Sequence, residues 1–341
     1  MTRLLKFRAA VNAAIELSPV PGTTTQADLR RYLSDNGPLI LDGGLATELE
    51  AQGFSLQGDP LWSARLLHTN PQAITDAHYR YLLSGADVVT TATYQASVRG
   101  FINYLHMSSE CARETLMSGV HLAKKVIEKT VSIGHPTGQH CPWVAASVGP
   151  YGAFLHNGSE YTGAYAAEMS VEELKTWHRP QVDCLAAAGP DLIVFETIPS
   201  IKEAEALVEL LREFPNSQAW LSFSCKDGRC ISDGSLFTDA VQIANRSSQL
   251  VAVGVNCCSP HIVEPLLDSA RSLLRPDMSW VAYPNSGEDW DTEQGWLTSG
   301  KASGSIPELS HTWMKQGASL IGGCCRIGPA HIAELRRQLK S

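Results

Sequence analysis

The stretch Leu320-Ile321-Gly322-Gly323-Cys324-Cys325-Arg326 ends a short apolar run on two glycines and two adjacent cysteines. A second stretch, Leu250-Val251-Ala252-Val253-Gly254-Val255-Asn256-Cys257-Cys258, has the same form. Each run is apolar on both faces, which is typical of a parallel strand covered by helices. Both stretches therefore predict a buried strand that ends in thiols.

Runs of this kind recur from residue 38 onward and alternate with helical stretches such as residues 201–214, in which Leu207, Leu210 and Leu211 have core spacing. The first predicted strand and its turn span 38–44, and the other predicted strands are 87–94, 143–150, 192–196, 219–225, 250–257, 280–284 and 320–324. Eight strands that alternate with helices predict a (β/α)₈ TIM-type barrel. An open doubly wound sheet is the alternative, but no Gly-x-Gly-x-x-Gly turn follows the first run.

The composition is that of a globular protein: 341 residues, of which 44% are hydrophobic and 18% charged. We predict an N-terminal extension and linker over residues 1–36 and a single catalytic domain, the barrel, over residues 37–341. The net charge of −8 and the lack of a basic stripe argue against nucleic acid as a partner. No apolar run approaches the roughly 20 residues that span a bilayer. The expected partners are therefore small molecules.

The cysteine count bears on the compartment. Nine cysteines, an odd number, in a long chain without a signal-peptide pattern favour reduced thiols and a cytoplasmic protein. Residues 1–20 also carry Arg3, Lys6 and Arg8 ahead of the first acid, Glu16, as an organelle-targeting helix does. An amphipathic extension that packs on the domain has the same pattern, so targeting is the alternative expectation.

The cysteines at the ends of the sixth and eighth predicted strands are the strongest candidates for chemistry. One strand separates these two in a closed barrel, so their ends lie roughly 10 Å apart at about 4.8 Å per strand. Inward-leaning thiolates can then share one ion at about 2.3 Å per Zn–S bond, and three thiolates with an open fourth position are typical of catalytic zinc. A redox pair of vicinal thiols is the alternative, although no Cys-x-x-Cys motif supports it.

Polar residues follow several other predicted strands at the same rim, where barrel chemistry lies. The candidate substrate contacts are Asp42, Gly43, Gly44, Tyr94, Gln95, Glu196, Asn256 and Asn285. The Asp42-Gly43-Gly44 segment is either a tight turn with a helix-capping carboxylate or a cradle for an amino-acid headgroup. Glu196 either forms a salt bridge across the rim or holds a substrate ammonium.

Motifs in unbroken order over about residues 37–338 resemble those of homocysteine S-methyltransferases. They are Asp42-Gly43-Gly44-Leu45-Ala46-Thr47-Glu48-Leu49-Glu50, Leu61-Trp62-Ser63-Ala64, Thr93-Tyr94-Gln95-Ala96, Ser147-Val148-Gly149-Pro150-Tyr151-Gly152, Gly158-Ser159-Glu160-Tyr161, Glu196-Thr197, Ser232-Asp233-Gly234, Gly254-Val255-Asn256-Cys257, Tyr283-Pro284-Asn285-Ser286-Gly287-Glu288 and Gly322-Gly323-Cys324-Cys325-Arg326. The chain is most similar to the single-domain members that use S-methylmethionine or S-adenosylmethionine as methyl donor.

The resemblance implies a (β/α)₈ barrel with one Zn²⁺ ion. The implied metal ligands, through which the substrate thiolate is activated, are Cys257, Cys324 and Cys325; the implied homocysteine contacts are Asp42, Gly43, Gly44 and Glu196. Cys258 does not match a ligand position. We further expect Gly322 and Gly323 to bend the backbone, so that two consecutive cysteines turn toward one ion.

The implied reaction transfers a methyl group from a sulfonium donor to the thiol of homocysteine and yields methionine. We expect Tyr151, Tyr161, Trp290 and Trp296, in long rim loops, to place aromatic faces against the sulfonium cation. Betaine- or selenocysteine-type members of the same family are alternatives, although Thr197 stands where the betaine-using branch usually has Tyr. A non-catalytic zinc- or thiol-binding protein is the alternative from another class. The chain has no room for the folate and cobalamin domains of cobalamin-dependent methionine synthases.

Overall fold

The computed structural model describes residues 26–133, 141–287, 289–291, 295–297 and 306–340. The strands are β1 Leu39–Ile40, β2 Val88–Thr90, β3 Trp143–Val148, β4 Leu192–Ile198, β5 Ala219–Phe223, β6 Leu250–Asn256, β7 Ser279–Tyr283, β8 Asp289–Asp291, β9 Gly295–Leu297 and β10 Ala318–Ile321. The helices are α1 Gln26–Asn36, α2 Leu45–Ala51, α3 Leu66–Thr69, α4 Pro71–Leu83, α5 Val98–Leu105, α6 Ser109–Ser132, α7 Tyr151–Leu155, α8 Val171–Ala187, α9 Ile201–Leu211, α10 Phe237–Ala244, α11 Val263–Ala270, α12 Ile306–Lys315 and α13 Pro329–Leu339.

Eight of the strands form one parallel sheet in the order β1-β10-β7-β6-β5-β4-β3-β2. A parallel bridge between Leu41 and Val88 joins its two edges. The amide of Asp42 donates to the carbonyl of Val88 at 3.1 Å, and the amide of Asp87 donates to the carbonyl of Ile40 at 2.7 Å. The sheet therefore closes on itself, and the predicted (β/α)₈ barrel is confirmed.

The strand boundaries differ from the prediction at several ends. The first two strands stop at Ile40 and Thr90, because the chain leaves the ladder to form rim loops there. The fourth continues past Glu196 to Ile198 through a register irregularity. Backbone hydrogen bonding determines where each strand ends, and residue type predicts that hydrogen bonding only indirectly. The loop predicted after strand seven contains the antiparallel hairpin β8–β9.

Strand alternation creates an apolar interior with a polar top. Leu192 and Val194 of β4 belong to the cluster inside the barrel, whereas Ile193 and Phe195 pack in the layer against the helices. The same period of two continues to Glu196, which therefore faces inward. The inward-facing residues at the carboxyl ends of the strands are Thr90, Ser147, Glu196, Ser222, Asn256 and Tyr283. A polar layer thus lies above the apolar core at the carboxyl ends of the strands, which is the end where barrels of this fold have their active sites.

The opposite end of the barrel is covered by α1, which lies within the predicted N-terminal extension. Leu29 and Leu33 are 3% and 8% exposed and belong to the interior cluster. The guanidinium of Arg30 donates to the carbonyls of Ser248 and Leu250, at 2.7 and 3.2 Å. This helix therefore packs as a plug at the start of β6. Residues 1–25, including the predicted targeting pattern, lie outside the described residues. Among the described residues, no helix is long and apolar enough to cross a membrane.

Candidate metal centre and substrate pocket

Three cysteines predicted as metal ligands come together at the carboxyl rim. The sulfur atoms of Cys257, Cys324 and Cys325 all lie within 4.8 Å of one another. The Sγ atoms of Cys257 and Cys325 are 3.8 Å apart. Tetrahedral coordination at about 2.3 Å per Zn–S bond requires sulfurs about 3.8 Å apart, so the donor set fits a tetrahedral, thiolate-binding ion such as zinc.

Local backbone geometry aims each thiol. Cys257 follows β6 directly and has a φ angle of +48°, an uncommon left-handed conformation that turns its side chain away from the strand's alternation. The amide of Cys324 donates to the carbonyl of Pro284 at 2.8 Å, and the amide of Cys325 donates to Oδ1 of Asn285 at 3.2 Å. The loop after β7 therefore holds both consecutive cysteines in place.

Gly322 and Gly323 serve this site through close approach. Neither is among the described glycines with a positive φ angle, so the two consecutive cysteines turn toward the cluster without a left-handed glycine. A Cβ atom at Gly322 would lie 2.6 Å from Cβ of Leu41, and one at Gly323 would lie 2.2 Å from Cγ2 of Ile327. The left-handed backbone occurs instead at Arg326, with φ +65°, after the cysteine pair. The glycines allow the cysteine loop to press against the first strand and its own continuation.

The electrostatics of the three sulfurs favour one thiolate. Hydrogen bonds from Cys324 and Cys325 lower the pKa of Cys257 well below its usual range, against the burial that raises it. The same interaction with Cys257 raises the pKa of both partners. A cluster that already stabilises negative charge on sulfur is suited to bind a soft cation.

Two buried carboxyl groups stand in the polar layer beside this cluster. Glu196 is 8% exposed and accepts hydrogen bonds from Ser147 and Tyr283. Asp42 is 4% exposed and accepts from the amide and hydroxyl of Thr90 at 2.8 and 2.9 Å. Burial raises the pKa of Glu196 to about 7 and that of Asp42 to about 8, although their hydrogen bonds lower both, and the charge of Glu196 raises the pKa of Asp42 further. A nearby cation would favour the ionised form of both carboxyl groups, so this pair has the chemistry to accept one.

Comparison with known proteins identifies the family of this thiol-and-carboxylate barrel. The family model for homocysteine S-methyltransferase matches residues 39–339. The chain belongs to the homocysteine S-methyltransferase family. It is 43% identical to homocysteine S-methyltransferase 2 of Zea mays, over 93% of this chain and 94% of that protein. It is also 38% identical to a betaine-homocysteine S-methyltransferase of Drosophila melanogaster, over 89% of this chain and 95% of that protein.

A solved structure supports both the fold and the metal-binding character of this family. The metallated form of the homocysteine methyltransferase MmuM from Escherichia coli matches with a TM-score of 0.80 and 38% identity, covering 91% of this chain and 99% of that one. That structure carries a metal, and this methyltransferase-family chain has three sulfurs arranged to hold one.

In this family member, two residues predicted to contact substrate instead form hydrogen bonds with residues of the site. The side-chain amide of Asn256 accepts from the amide of Thr197 and donates to its hydroxyl, both at 2.8 Å. Thr197 has φ +59°, so Asn256 fixes the left-handed turn that follows Glu196. Asn285 supports the amide of Cys325 through its Oδ1. Both side chains position the carboxylate and the cysteines.

The first-strand turn is explained mainly by packing. A Cβ atom at Gly43 would lie 2.1 Å from the carbonyl oxygen of Ile327, and one at Gly44 would lie 2.6 Å from that of Cys324. The amide of Gly44, which the headgroup-cradle interpretation assigned to substrate, donates to the carbonyl of Ile327 at 2.9 Å. Gly44 therefore ties the first turn to the cysteine loop, and its N–H group is engaged within the protein.

Tyr94 and Gln95 follow β2 at the rim and line a cavity together with Ser147, the partner of Glu196. Nε2 of Gln95 donates to the carbonyl of Pro60 at 3.0 Å, which anchors the loop after β2. The Tyr94 ring meets Trp62 edge to face at 6.4 Å between centroids. Burial raises the pKa of Tyr94 well above its usual value, and the neighbouring acid Glu160 raises it further, so this phenol stays protonated. Tyr94 therefore contributes a neutral aromatic ring with one polar hydroxyl group to this rim.

Sequence reasoning placed Tyr161 in a rim loop but missed its contact with the cluster. The Tyr161 hydroxyl lies 3.9 Å from Sγ of Cys257. Cys258, by contrast, is 4% exposed and belongs to the hydrophobic layer between strands and helices, so its side chain packs apart from the cluster. Ser147 was also missed as a partner of Glu196, although a period of two counted back from the rim places it inward. Tyr161 carries no periodic signal, because it lies in a loop.

A buried polar network holds the loop that carries Tyr161. Glu203 accepts hydrogen bonds from Nε2 of His178 at 2.7 Å, from the amide of Tyr151 at 2.7 Å and from the hydroxyl of Tyr165. His178 and Glu203 have side chains 1% and 0% exposed. His178 lies in the middle of α8, which begins at Val171. The network fastens both ends of the loop after β3 to the helical layer.

Proposed function

We propose that the protein transfers a methyl group from S-methylmethionine or S-adenosylmethionine to the thiol of homocysteine, with Zn²⁺ held by Cys257, Cys324 and Cys325. The observation that carries the proposal is the gathering of these three sulfurs within 4.8 Å in a chain of the homocysteine S-methyltransferase family. When bound there, zinc would lower the pKa of a thiol ligand and supply it as an electron-rich thiolate. The donor carries an electrophilic methyl group and needs no separate activation.

The two carboxyl groups support the binding of the acceptor. Homocysteine has an ammonium group two carbons from its thiol-bearing carbon, and Asp42 and Glu196 supply negative charge beside the sulfur cluster. An ammonium favours the ionised form of both acids, so binding stabilises the carboxylates that burial disfavours. Gly43, Tyr94 and Gln95 complete the proposed pocket as neighbours of this pair. The chain thus orients the acceptor by charge at one end and by its thiol at the other.

One aromatic side chain beside the sulfur cluster supports a donor region there. Tyr161 lies against Cys257, on the route by which a methyl group would reach a sulfur held there. The ring of Tyr151 instead packs against Trp177 and Tyr165, at 5.0 and 5.4 Å between centroids, so the structure assigns it to the loop's support. The side chains of Trp290 and Trp296 lie outside the described residues and remain predicted donor contacts. With S-methylmethionine, the reaction turns one donor and one homocysteine into two methionines.

The betaine-using relative supports a second candidate donor. Betaine would methylate the same thiol and leave as dimethylglycine. The Drosophila protein named for this reaction is 38% identical to the chain. Thr197 follows Glu196 here and is locked in a left-handed turn by Asn256, which leaves no tyrosine at that point of the pocket. We therefore favour the sulfonium donors.

A paired assay tests the proposal. Purified protein loaded with zinc receives homocysteine and, in parallel, S-methylmethionine, S-adenosylmethionine or betaine, each with an isotopically labelled methyl group. We expect labelled methionine with at least one sulfonium donor. Labelled methionine with betaine alone would transfer the assignment to the second candidate, and no methionine with any donor would refute both.

A further inference from the structure

Glu160 has a buried carboxylate oxygen that the known chemistry does not use. Its Oε2 atom is shielded from solvent and has no hydrogen-bond partner among the described residues. No ion pair of Glu160 occurs in the part of the chain that the structure describes. A buried, unpaired carboxylate oxygen costs free energy, and such groups in folded proteins call for a ligand or another explanation.

A hydrogen bond and close packing hold the backbone of Glu160 in place. Oγ of Ser224, just after β5, donates to the carbonyl of Glu160 at 2.9 Å. The amide nitrogen of Glu160 lies 2.6 Å from where a Cβ atom of Gly152 would stand, so the two chain segments are in close contact. The Tyr165–Glu203 hydrogen bond fixes the loop a few residues onward.

The groups around Glu160 place it near the three-cysteine cluster. Tyr161, the next residue, brings its hydroxyl to 3.9 Å from Sγ of Cys257. Burial raises the pKa of Glu160, and the charge of Cys257 raises it further. The Glu160 charge in turn raises the pKa of Tyr94. Glu160 therefore lies within electrostatic reach of Cys257 and Tyr94, and its chain neighbour Tyr161 contacts the Cys257 sulfur.

The negative charge of Glu160 is matched by a cation. The methyl donor, which is the second substrate, carries one. Among the described residues, the Cys257, Cys324 and Cys325 group is the only one spaced to hold a metal, and Glu160 is not part of it. The ammonium of homocysteine already has Asp42 and Glu196 in the proposed function. A sulfonium donor carries a sulfonium and an ammonium against one carboxylate, and so has a net charge of +1, whereas betaine is neutral overall.

We propose that Glu160 binds the methyl donor by its positive charge and so selects sulfonium donors over zwitterionic betaine. This inference rests on the proposed function. Glu160 becomes the charged wall of the donor site, with Tyr94 and Tyr161 as its aromatic walls. Because methyl transfer removes the sulfonium charge, a carboxylate there stabilises the bound donor at least as well as the transition state. Its loss therefore raises the KM of the donor and leaves kcat nearly unchanged.

The test compares Glu160→Gln, which keeps shape and removes charge, with Glu168→Gln, an exposed acid farther along the same loop. For Glu160→Gln we expect the KM of the sulfonium donor to rise about 10- to 100-fold, the range for one charge-assisted hydrogen bond. We expect three other quantities to stay within about twofold of wild type. They are the KM of homocysteine, the zinc content and, where betaine is used, the KM of betaine. Glu168→Gln leaves all of them unchanged. An unchanged donor KM, or a rise in the homocysteine KM instead, overturns the inference.

Two further measurements separate this inference from other failures. The melting temperature of ligand-free Glu160→Gln equals or exceeds that of wild type, because the variant replaces a carboxylate that has one shielded oxygen without a partner by a neutral amide. A lower value would indicate a structural role. Calorimetric binding of S-methylmethionine to zinc-loaded protein with homocysteine present tests Glu160 even if no methionine forms. Binding that weakens in Glu160→Gln without turnover upholds the inference while the proposed function fails. Turnover together with unaltered donor binding in Glu160→Gln upholds the proposed function and overturns the inference about Glu160.

Discussion

The sulfur atoms of Cys257 and Cys325 lie 3.8 Å apart, although 68 positions separate them in the chain. Only β7 lies between the strands that they follow. The left-handed backbone of Cys257 turns its sulfur toward Cys325. Hydrogen bonds to Pro284 and Asn285 hold the turn that brings Cys325 toward Cys257. The site is therefore built by loop hydrogen bonds on a barrel that brings the strand ends near each other.

Replacing Cys257 tests the cluster as a metal site. In Cys257→Ser we expect bound zinc to fall from about one per chain to almost none, and methyl transfer to fall about 1,000-fold, since a bound metal contributes several kcal/mol to such chemistry. The matched control is Cys258→Ala, because Cys258 packs in the hydrophobic layer. Elemental analysis and the methionine assay give both readouts. Equal zinc loss in both variants would contradict the assignment.

The close approach of the first turn to the cysteine loop predicts a stability difference between two glycines. In Gly43→Ala the new Cβ atom would meet the carbonyl oxygen of Ile327 at 2.1 Å. We expect the free energy of unfolding to fall by about 1–3 kcal/mol, as in other overpacked sites. Gly328→Ala is the control, because nothing lies within 4 Å of its Cβ position. Urea denaturation measures both, and equal midpoints would show that the turn relaxes freely.

The buried pair of His178 and Glu203 predicts a large effect away from the sulfur cluster. In His178→Leu, Glu203 loses a partner while fully buried, and we expect a loss of about 3–5 kcal/mol in the free energy of unfolding. The control is the exposed pair of Glu334 and Arg337, where Arg337→Gln leaves the free energy almost unchanged. Similar shifts in the two denaturation curves would mean that burial does not strengthen the first pair.

His78 predicts how stability depends on pH. It is fully buried in α4, and neither ring nitrogen has a partner among the described residues. Burial lowers its pKa from 6.5 to about 4. Above pH 6.5 the ring is neutral in both the folded and the unfolded chain, and no cost arises. As the pH falls from 6.5 to about 4, only the unfolded chain takes up the proton, so folding loses about 3 kcal/mol at about 1.4 kcal/mol per unit.

The matched variant isolates that contribution from other acid-sensitive groups. In His78→Leu we expect the decline between pH 6.5 and 4 to be shallower than in wild type by about 3 kcal/mol in the free energy of unfolding. His68→Gln, at an exposed position, follows the wild-type curve. Urea titrations at several pH values give the comparison. If His78→Leu declines as steeply as wild type, the buried imidazole is not the source.

Much of the fold follows from the order of residue types. Eight apolar runs with helical stretches between them have few ways to bury both strand faces, and a closed parallel barrel is one of them. The period of two within β4 then places Leu192 and Val194 inside and carries Glu196 to the same face. The strand ends at Ile40 and Thr90 were not predictable, because hydrogen bonds to neighbouring strands set them.

The sequence by itself determined the barrel, the thiols that follow two of its strands and the rim carboxylate Glu196, because the alternation of apolar runs with helical stretches is a local property of the chain. Only the tertiary structure decided that Asn256 and Gly44 serve the backbone, that His178 is buried on Glu203, and that the Tyr161 hydroxyl lies beside Cys257. These outcomes depend on which loops meet at the rim. Contacts between distant loops arise from the closure of the barrel, and no spacing within the chain encodes them directly.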